Sequence, residues 1–207
     1  MSVRQVSLLT GEYYHIYNRG NSKQSIFHDD QDYRYFMNLL DTMNTEKRSR
    51  NREKKQRFGQ IGEVISLGSY CLMPNHFHIL IKQEKEKGIT LFLQKLSTAY
   101  VMYYNKKYKR TGALFEGKFK AKYVAEDNYL KYLFSYIHLN PLKILNQNWK
   151  TKSIHNEEVS FLLGYPYSSF HEYYTNEFYL INKNAFPDYF QTKGDFMHEI
   201  KSWLRLG

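Results

Sequence analysis

Two histidines separated by one residue are the first feature of this sequence that could do chemistry. They are His76 and His78, within residues 69–82, SYCLMPNHFHILIK. If this stretch is a β-strand, alternation places both imidazoles on one face and the apolar Phe77 and Ile79 on the other. Side chains two residues apart on a strand lie roughly 6 to 7 Å apart, so two imidazoles can share one metal ion. Two ordinary histidines on a polar sheet face fit the same pattern, and the motif alone leaves metal binding open.

A tyrosine and an asparagine form a second pair of candidate groups. They lie in residues 126–141, EDNYLKYLFSYIHLNP, whose acidic start and closing proline are typical of a helix that stops at Pro141. Tyr136 and Asn140 are four residues apart and therefore share one face of that helix. The amide oxygen of Asn140 could serve as a third metal ligand, with the tyrosine one turn away.

A tyrosine beside a metal ion has a specific chemical use. Its hydroxyl, with a pKa of about 10, is a poor nucleophile at neutral pH. In line with a phosphodiester whose oxygen is polarised by a divalent cation, it can displace a 3′ oxygen and keep the phosphate as a covalent ester. Spacing leaves two alternatives open: Tyr136 is a core aromatic of an amphipathic helix, or another helical tyrosine is the nucleophile. The competing tyrosines are Tyr100, Tyr103, Tyr104, Tyr129 and Tyr132.

The elements around these groups predict a mixed fold. Alternating residues predict strands at 11–19, 61–73, 76–82 and 115–124, and helical spacing predicts helices at 31–47, 90–108 and 126–140. Asp29 and Asp30 are the candidate N-caps of the first helix. Whether the second and third strands form a hairpin or one broken strand is left open. The order of elements predicts an α+β fold, a ferredoxin-like sandwich with an antiparallel sheet and an added helix that carries Tyr136.

The hydrophobic pattern weakens towards the C-terminus. We assign residues 1–145 to a catalytic domain and residues 146–207 to a C-terminal helical appendage packed on it. Within the appendage, residues 164–170, GYPYSSF, are predicted to be a loop, and residues 196–206 a short amphipathic helix.

Charge and aromatic content favour a nucleic-acid partner. The 207-residue chain carries a formal net charge of +10, and 17% of its residues are aromatic, including 20 tyrosines. Excess positive charge attracts polyanions, and rings exposed among basic residues can stack on bases. A basic protein whose tyrosines are half-buried in its core is the simpler alternative.

Two basic segments are candidate phosphate contacts. Residues 47–57, KRSRNREKKQR, carry seven basic residues against one glutamate, which predicts either a phosphate-binding arm or a solvated loop. In residues 115–124, FEGKFKAKYV, alternation places Lys118, Lys120 and Lys122 on one strand face. That face suits a phosphate backbone, and it equally suits an edge strand that lysines protect from aggregation.

The single cysteine, Cys71, excludes an internal disulfide and a cysteine-based zinc cluster. Its place in an apolar strand predicts a small core residue. The sequence shows neither a signal-peptide pattern nor an apolar run long enough to span a bilayer, so it predicts a cytoplasmic protein with no membrane partner.

Five motifs together resemble one known family. MPNHFHILI resembles the HUH signature, two histidines flanking a bulky hydrophobic residue, of the single-tyrosine transposases of the IS200-like superfamily, and FSYIHLNPLK resembles their catalytic helix. NRG at 18–20, FEGKFK at 115–120 and YPYSSF at 165–170 resemble the subgroup called REP-associated tyrosine transposases. The motifs stand in the family's order over roughly residues 11–170. Tyr165 stands where relatives often have tryptophan, and no motif is recognised from His171 onward.

The resemblance implies a DNA transposase that cleaves and rejoins single-stranded DNA, at hairpin-bearing repeats, through a 5′-phosphotyrosine and a free 3′-hydroxyl. It implies Tyr136 as the nucleophile, His76, His78 and Asn140 as ligands of a divalent metal ion, and magnesium or manganese as that ion. Relatives act as monomers or homodimers, and both states are open here. Our candidates for DNA-binding residues are Arg19, Lys118, Lys120 and Lys122.

Proteins of other functional classes could use some of the same residues. A ferredoxin-like sheet with aromatic and basic faces is also the plan of non-catalytic single-strand-binding modules, which need neither a metal nor Tyr136. A metal-dependent hydrolase would share the histidine pair and release its product without a protein adduct. A transposase domesticated by its host would retain the whole site.

Overall fold

Four antiparallel strands form one sheet in this computed structural model, which describes residues 7–44, 63–146, 148 and 156–202. The strands are β1 Tyr13–Arg19, β2 Ile65–Met73, β3 His76–Gln83 and β4 Lys120–Val124. Their order across the sheet is β2-β3-β1-β4, and every neighbouring pair is antiparallel. The two central strands therefore carry His15, Tyr17 and the histidine pair.

Helices join the strands and continue after them. The helices of the described residues are α1 Asp30–Thr42, α2 Gly88–Lys107, α3 Asp127–Leu139, α4 Leu142–Leu145, α5 Asn156–Gly164, α6 Phe170–Thr175 and α7 Lys193–Ser202. Within that part of the chain, none is both long and apolar enough to cross a bilayer. With α1 between β1 and β2, and α2 between β3 and β4, the fold is the predicted ferredoxin-like sandwich with an added helix, α3.

Side-chain alternation along the strands separates two layers of helix. On one side the apolar face of the sheet packs against α1 and α2, where the rings of Phe77 and Phe36 lie 5.2 Å apart. On the other side lies α3, whose Tyr136 ring is 6.0 Å from that of His15 and 5.5 Å from that of His78. The histidine face of the sheet is therefore covered by the helix that carries Tyr136.

The predicted break before the histidines is the turn of a hairpin. Pro74 and Asn75 join β2 to β3, and the ladder shifts register at Gly68. A Cβ atom on Gly68 would lie 2.6 Å from Cζ of Phe186, so no larger residue fits there. This close approach brings the C-terminal segment directly onto β2.

The fourth strand is shorter than predicted. It begins at Lys120 instead of residue 115, because Phe115 forms only an isolated bridge to Gly20. The carbonyl of Gly117 accepts a hydrogen bond from Asn18 Nδ2 at 3.1 Å, which pulls the preceding segment away from the ladder. Lys118 consequently lies outside the strand that carries the other lysines.

The first helix begins as predicted. The side chain of Asp29 caps α1 by accepting a hydrogen bond from the backbone N–H of Asp32. The helix ends at Thr42, with Met43 as its C-cap, so the predicted end at Lys47 is wrong: the side chain of Asn44 instead bonds the backbone of Ile65 in β2. The basic segment 47–57 lies outside the described residues.

The YPYSSF segment, predicted as a loop, pairs with the outer edge of β2. The Ser169 N–H donates to the carbonyl of Tyr70 at 3.0 Å, and Ser169 Oγ accepts from the Tyr70 N–H at 2.9 Å. The same Oγ lies 2.8 Å from Nε2 of the buried His138 in α3. This hydroxyl therefore ties the sheet edge to the helix that carries Tyr136.

We expect Ser169→Ala to lower the stability of the protein. The buried N–H of Tyr70 and the ring of His138 would each lose a partner, at a cost of about 2 kcal/mol in total. For a chain of this size that corresponds to a decrease in Tm of roughly 4–8 °C by circular dichroism. Ser160→Ala, at an exposed position of α5, is the matched control and should leave Tm unchanged. Equal Tm values for both variants would contradict the bridging role of Ser169.

Aromatic contacts hold the C-terminal segment against α3. Phe134 of α3 lies 5.8 Å from Phe186 and 5.6 Å from Phe190 between ring centroids. The predicted terminal helix is present as α7, which begins at Lys193 and not at Phe196. The division of the chain at residues 145 and 146 stays a prediction. Cys71 is fully buried in the core.

Candidate active site

The two histidines of β3 lie side by side on the face that α3 covers. Their ring centroids are 5.1 Å apart, and the ring planes are nearly perpendicular. In the ladder with β1, His78 is opposite Tyr17 and His76 is opposite Arg19. His78 is buried, whereas His76 is half-buried at the end of the strand.

Hydrogen bonds determine which nitrogen of His76 is protonated. Its Nδ1 lies 2.6 Å from Oδ1 of Asn75, and Nδ2 of the same amide donates to the carbonyl of Lys23 at 3.1 Å. A carbonyl can only accept, so Asn75 presents its oxygen to His76, and Nδ1 of His76 carries the proton. Its Nε2 then has the lone pair that a metal ion requires.

A third histidine, which the sequence analysis did not single out, supports His78. Nε2 of His15 lies 2.9 Å from Nδ1 of His78, and the two rings are stacked with centroids 5.0 Å apart. If Nδ1 of His78 donates this bond, its Nε2 also has a lone pair. The only signal for this role in the sequence is alternation, which places His15 on the same strand face as Tyr17. The contact between His15 and His78 depends on the register of β1 and β3, which alternation does not specify.

Burial keeps these imidazoles neutral. It lowers the pKa of His15 to about 4, and the charge of Lys122 acts in the same direction. Burial, together with Lys143 and Arg19, lowers the pKa of His76 to about 4. The pKa of His78 is held well below its usual range, again mainly by burial. A neutral imidazole is the form that binds a metal ion, so this pair is ready to ligate at neutral pH.

The ring of Tyr136 stands edge-on to the rings of His15 and His78. It is half-buried, and burial raises the pKa of its hydroxyl above the usual value, while a hydrogen bond with Asn140 acts in the opposite direction. Tyr136 is therefore protonated at neutral pH until a reaction removes its proton. The competing tyrosines of α2 lie under the opposite face of the sheet, as the packing of Tyr100 on Phe36 at 5.0 Å indicates.

Asn140 lies at the C-terminal end of α3 and is fully buried. Its Nδ2 donates to the carbonyl of Tyr136 at 2.7 Å, and its Oδ1 accepts from Nζ of Lys143 at 2.7 Å. Nζ of Lys143 also lies 5.5 Å from the ring centroid of Tyr136. An amide oxygen has two lone pairs, so a metal ion at Oδ1 would share it with Lys143 or displace that amine. No local pattern in the sequence points to Lys143, because its contact with Asn140 depends on the turn at Pro141.

The donor set fits a divalent metal ion. Two neutral imidazoles and one amide oxygen are nitrogen and oxygen ligands of intermediate hardness, which manganese and related ions accept. The described residues contain no cluster of three or more His, Cys, Asp and Glu side chains that could hold a metal ion. A site here therefore depends on the amide of Asn140 or on ligands from the substrate.

A basic cleft of about 340 Å³ opens beside the histidines. Arg19 lines the cleft and forms an ion pair with Glu116, with Nε and Oε1 2.5 Å apart. Lys120, which is opposite Tyr17 in the pairing of β1 and β4, also lines it. Lys118 is exposed but does not line the cleft, and Lys122 lies further along β4. The cleft is lined by Tyr17, Asn18, Arg19, Lys23, Asn75, His76, His78, Glu116 and Lys120.

We expect the stability of the metal-free protein to fall as the pH drops below about 6.5. The lowered pKa values of His15 and His76, about 4 each, mean that the unfolded chain binds more protons than the folded one between these limits. The free energy of unfolding therefore decreases with pH across that window. Thermal denaturation in EDTA at a series of pH values measures this slope. His15→Gln should flatten it, whereas the exposed control His171→Gln should not, and an equal slope in all three proteins would contradict the account.

Comparison with known proteins identifies a family and solved structures of similar fold. Residues 9–140 match the family model described as "Transposase IS200 like". A solved structure described as "Structure of the REP associates tyrosine transposase bound to a REP hairpin" is similar over 86% of this chain and 87% of its own, with a TM-score of 0.57 and 13% sequence identity. At that identity the likeness shows the fold. No curated protein matches the sequence significantly.

Proposed function

This chain belongs to the IS200-like transposase family, whose model matches residues 9–140, and we propose that it cleaves and rejoins single-stranded DNA through a covalent 5′-phosphotyrosine on Tyr136. The observation that carries the proposal is the position of that ring, 5.5 Å from the ring of His78 and on the same side of the sheet as His76. The proposed nucleophile thus lies beside His78, and both histidines of the pair line the basic cleft.

The proposed cleavage exchanges one phosphate ester for another. The hydroxyl of Tyr136 loses its proton to solvent as its oxygen attacks the phosphorus, the bond from phosphorus to the 3′ oxygen breaks, and that oxygen takes up a proton from solvent and leaves as a 3′-hydroxyl. The 5′ end of the other fragment stays on the tyrosine. Attack by a 3′-hydroxyl reverses these bonds and rejoins DNA without an external energy source.

The residues around Tyr136 lower the barrier in two ways. The side chain of Asn140 acts to lower the pKa of the Tyr136 hydroxyl, against the effect of burial, and so favours the phenolate that forms as the proton leaves. The cation of Lys143, held by Asn140 beside the ring, adds positive charge where negative charge develops. Asn140 is the C-cap of α3 and Lys143 lies in the short helix α4 that follows directly, so both stay close to the nucleophile.

We propose His76, His78 and Asn140 as the ligands of a magnesium or manganese ion. A divalent ion there would polarise a phosphate oxygen and orient the scissile bond. The tautomer of His76, set by Asn75, and the support of His78 by His15 favour this role.

For the substrate, we propose single-stranded DNA next to a hairpin. The related solved structure is bound to a REP hairpin, and the present chain has the NRG, FEGKFK and YPYSSF motifs of the REP-associated subgroup. Arg19 and Lys120 in the cleft are the proposed phosphate contacts. Lys118 and Lys122 would extend this basic surface along the β4 segment.

The test uses labelled single strands from both flanks of the gene, each incubated with Mn²⁺ or with EDTA. We expect cleavage with Mn²⁺ only, a free 3′-hydroxyl on one fragment and a protein-bound second fragment on a denaturing gel. The duplex of the same sequence is the control and should not be cut. Cleavage that leaves both fragments free of protein would indicate a hydrolase, and metal-independent binding without cleavage would indicate a single-strand-binding module.

A further inference from the structure

Three tyrosines form a ladder along α3. The tyrosine ladder consists of Tyr129, Tyr132 and Tyr136, spaced by three and four residues and therefore on one face of the helix. The rings of the first two are 5.7 Å apart with an interplanar angle of 16°, and those of the last two are 6.1 Å apart at 12°. The ladder extends about 10 Å along the helix from the proposed nucleophile.

These rings lie beside the fully buried side of the helix and pack against the edge of the core. All three tyrosines are half-buried, so part of each ring faces solvent. The buried apolar side of α3 is formed by Leu130, Leu133, Phe134 and Ile137, each at most 3% exposed. Each tyrosine is therefore packed against the core on one part of its surface and open to solvent on another.

Lysines of β4 run beside the ladder. Where β4 pairs with β1, Lys120 is opposite Tyr17 and Lys122 is opposite His15, so both lysines lie on the histidine face of the sheet. Nζ of Lys122 lies 4.3 Å from the ring centroid of Tyr129, and Nζ of Lys120 lies 5.9 Å from that of Tyr17. Cations and aromatic faces thus alternate from the basic cleft to the start of α3.

Aromatic rings and a line of cations are the two components of a surface that binds single-stranded DNA. Rings stack on bases of any sequence, and cations neutralise the phosphates that connect those bases. Duplex DNA keeps its bases stacked on one another and offers this surface only its phosphates. The arrangement therefore discriminates single strands from duplexes.

We propose that the tyrosine ladder and Lys122 form a binding track for the two or so nucleotides of single-stranded DNA adjacent to the scissile phosphate. This inference rests on the proposed function and assigns the path of the strand. Tyr129 and Tyr132 act there as base-stacking platforms, which gives them a role distinct from that of the nucleophile. A strand held along the ladder is delivered to Tyr136 at one end.

The first test measures binding in EDTA, so that no cleavage is required. Fluorescence anisotropy compares a labelled oligo-dT with a labelled duplex of the same length, at one fixed salt concentration, for the wild type and for Tyr129→Leu/Tyr132→Leu. We expect Kd for the single strand to rise about tenfold per lost ring, and Kd for the duplex to stay unchanged. Tyr129→Phe/Tyr132→Phe keeps both rings and should bind as the wild type does. Tyr179→Leu, at an exposed tyrosine of the C-terminal segment, is the matched control.

A second test needs no variant of the helix. A 2-aminopurine placed at successive positions of the oligo-dT should lose fluorescence on binding to the wild type, because stacking on tyrosine quenches it. Unchanged fluorescence at every position would overturn the track. Equal losses of single-strand and duplex affinity in the leucine variant would also overturn it, since they would indicate a change in charge or fold.

The two proposals fail in different ways. If the wild type binds the single strand through the ladder but cleaves no flanking DNA, the proposed transposase chemistry is wrong and the track stands. If the wild type forms a covalent adduct and the leucine variant binds single strands as tightly as the wild type, the track is wrong and the chemistry stands.

Discussion

Tyr136→Phe is expected to abolish the covalent adduct with DNA while it preserves DNA binding. The substitution removes only the oxygen that would form the new ester, and the phenyl ring keeps its place beside His78 and Tyr132. Removal of a nucleophile from an enzyme costs several orders of magnitude in rate, so we expect the adduct to decrease by about 10³-fold or more. The measurement is denaturing electrophoresis of protein incubated with labelled flanking DNA and Mn²⁺, alongside anisotropy for binding.

The control for this variant is Tyr123→Phe. Tyr123 is exposed on the opposite face of β4 and donates a hydrogen bond to Glu12 at 2.8 Å, far from the histidine pair. It should form the adduct as the wild type does. An undiminished adduct in Tyr136→Phe would mean that another hydroxyl is the nucleophile, and Tyr17, 6.0 Å from the ring of His78, would be the next to test.

The second large effect concerns the metal ligands. We expect His78→Ala to lose Mn²⁺ binding and to reduce cleavage at least about 100-fold, because the imidazole is one of the two nitrogen ligands of the proposed site. His15→Gln should cause a smaller loss, about 10- to 100-fold in metal affinity, since this residue only orients His78. Isothermal titration calorimetry with Mn²⁺ measures both effects without any DNA.

The critical result is which of the two variants loses more Mn²⁺ affinity. His171→Gln changes an exposed histidine of α6 and should bind Mn²⁺ as the wild type does. Wild-type Mn²⁺ affinity in His78→Ala would contradict the assignment of His78 as a ligand. A loss in His15→Gln larger than that in His78→Ala would instead point to His15 as the ligand.

Local patterns were sufficient to predict much of the fold. The alternation in β3 correctly predicts that His76 and His78 share a face, because period two is a property of any strand. The order of the elements predicts the ferredoxin-like sandwich, because connections between strands are short and follow the chain. The N-cap at Asp29 is a local signal of the same kind.

Contacts between distant segments could not be predicted in this way. The bond between His15 and His78 joins residues 63 positions apart and depends on the strand register. The hydrogen bond between Ser169 and His138 depends on a C-terminal segment that returns to the edge of β2. The late start of β4, at Lys120, accompanies the bond between Asn18 and Gly117, which no periodicity encodes.

The most direct test of the central claim is to identify the amino acid that carries the DNA. Wild-type protein would be trapped with a flanking single strand and Mn²⁺, digested with nuclease and trypsin, and analysed by tandem mass spectrometry. We predict a nucleotide attached through its 5′ phosphate to Tyr136. The same modification on another residue, or cleavage with no modified peptide, would contradict the account.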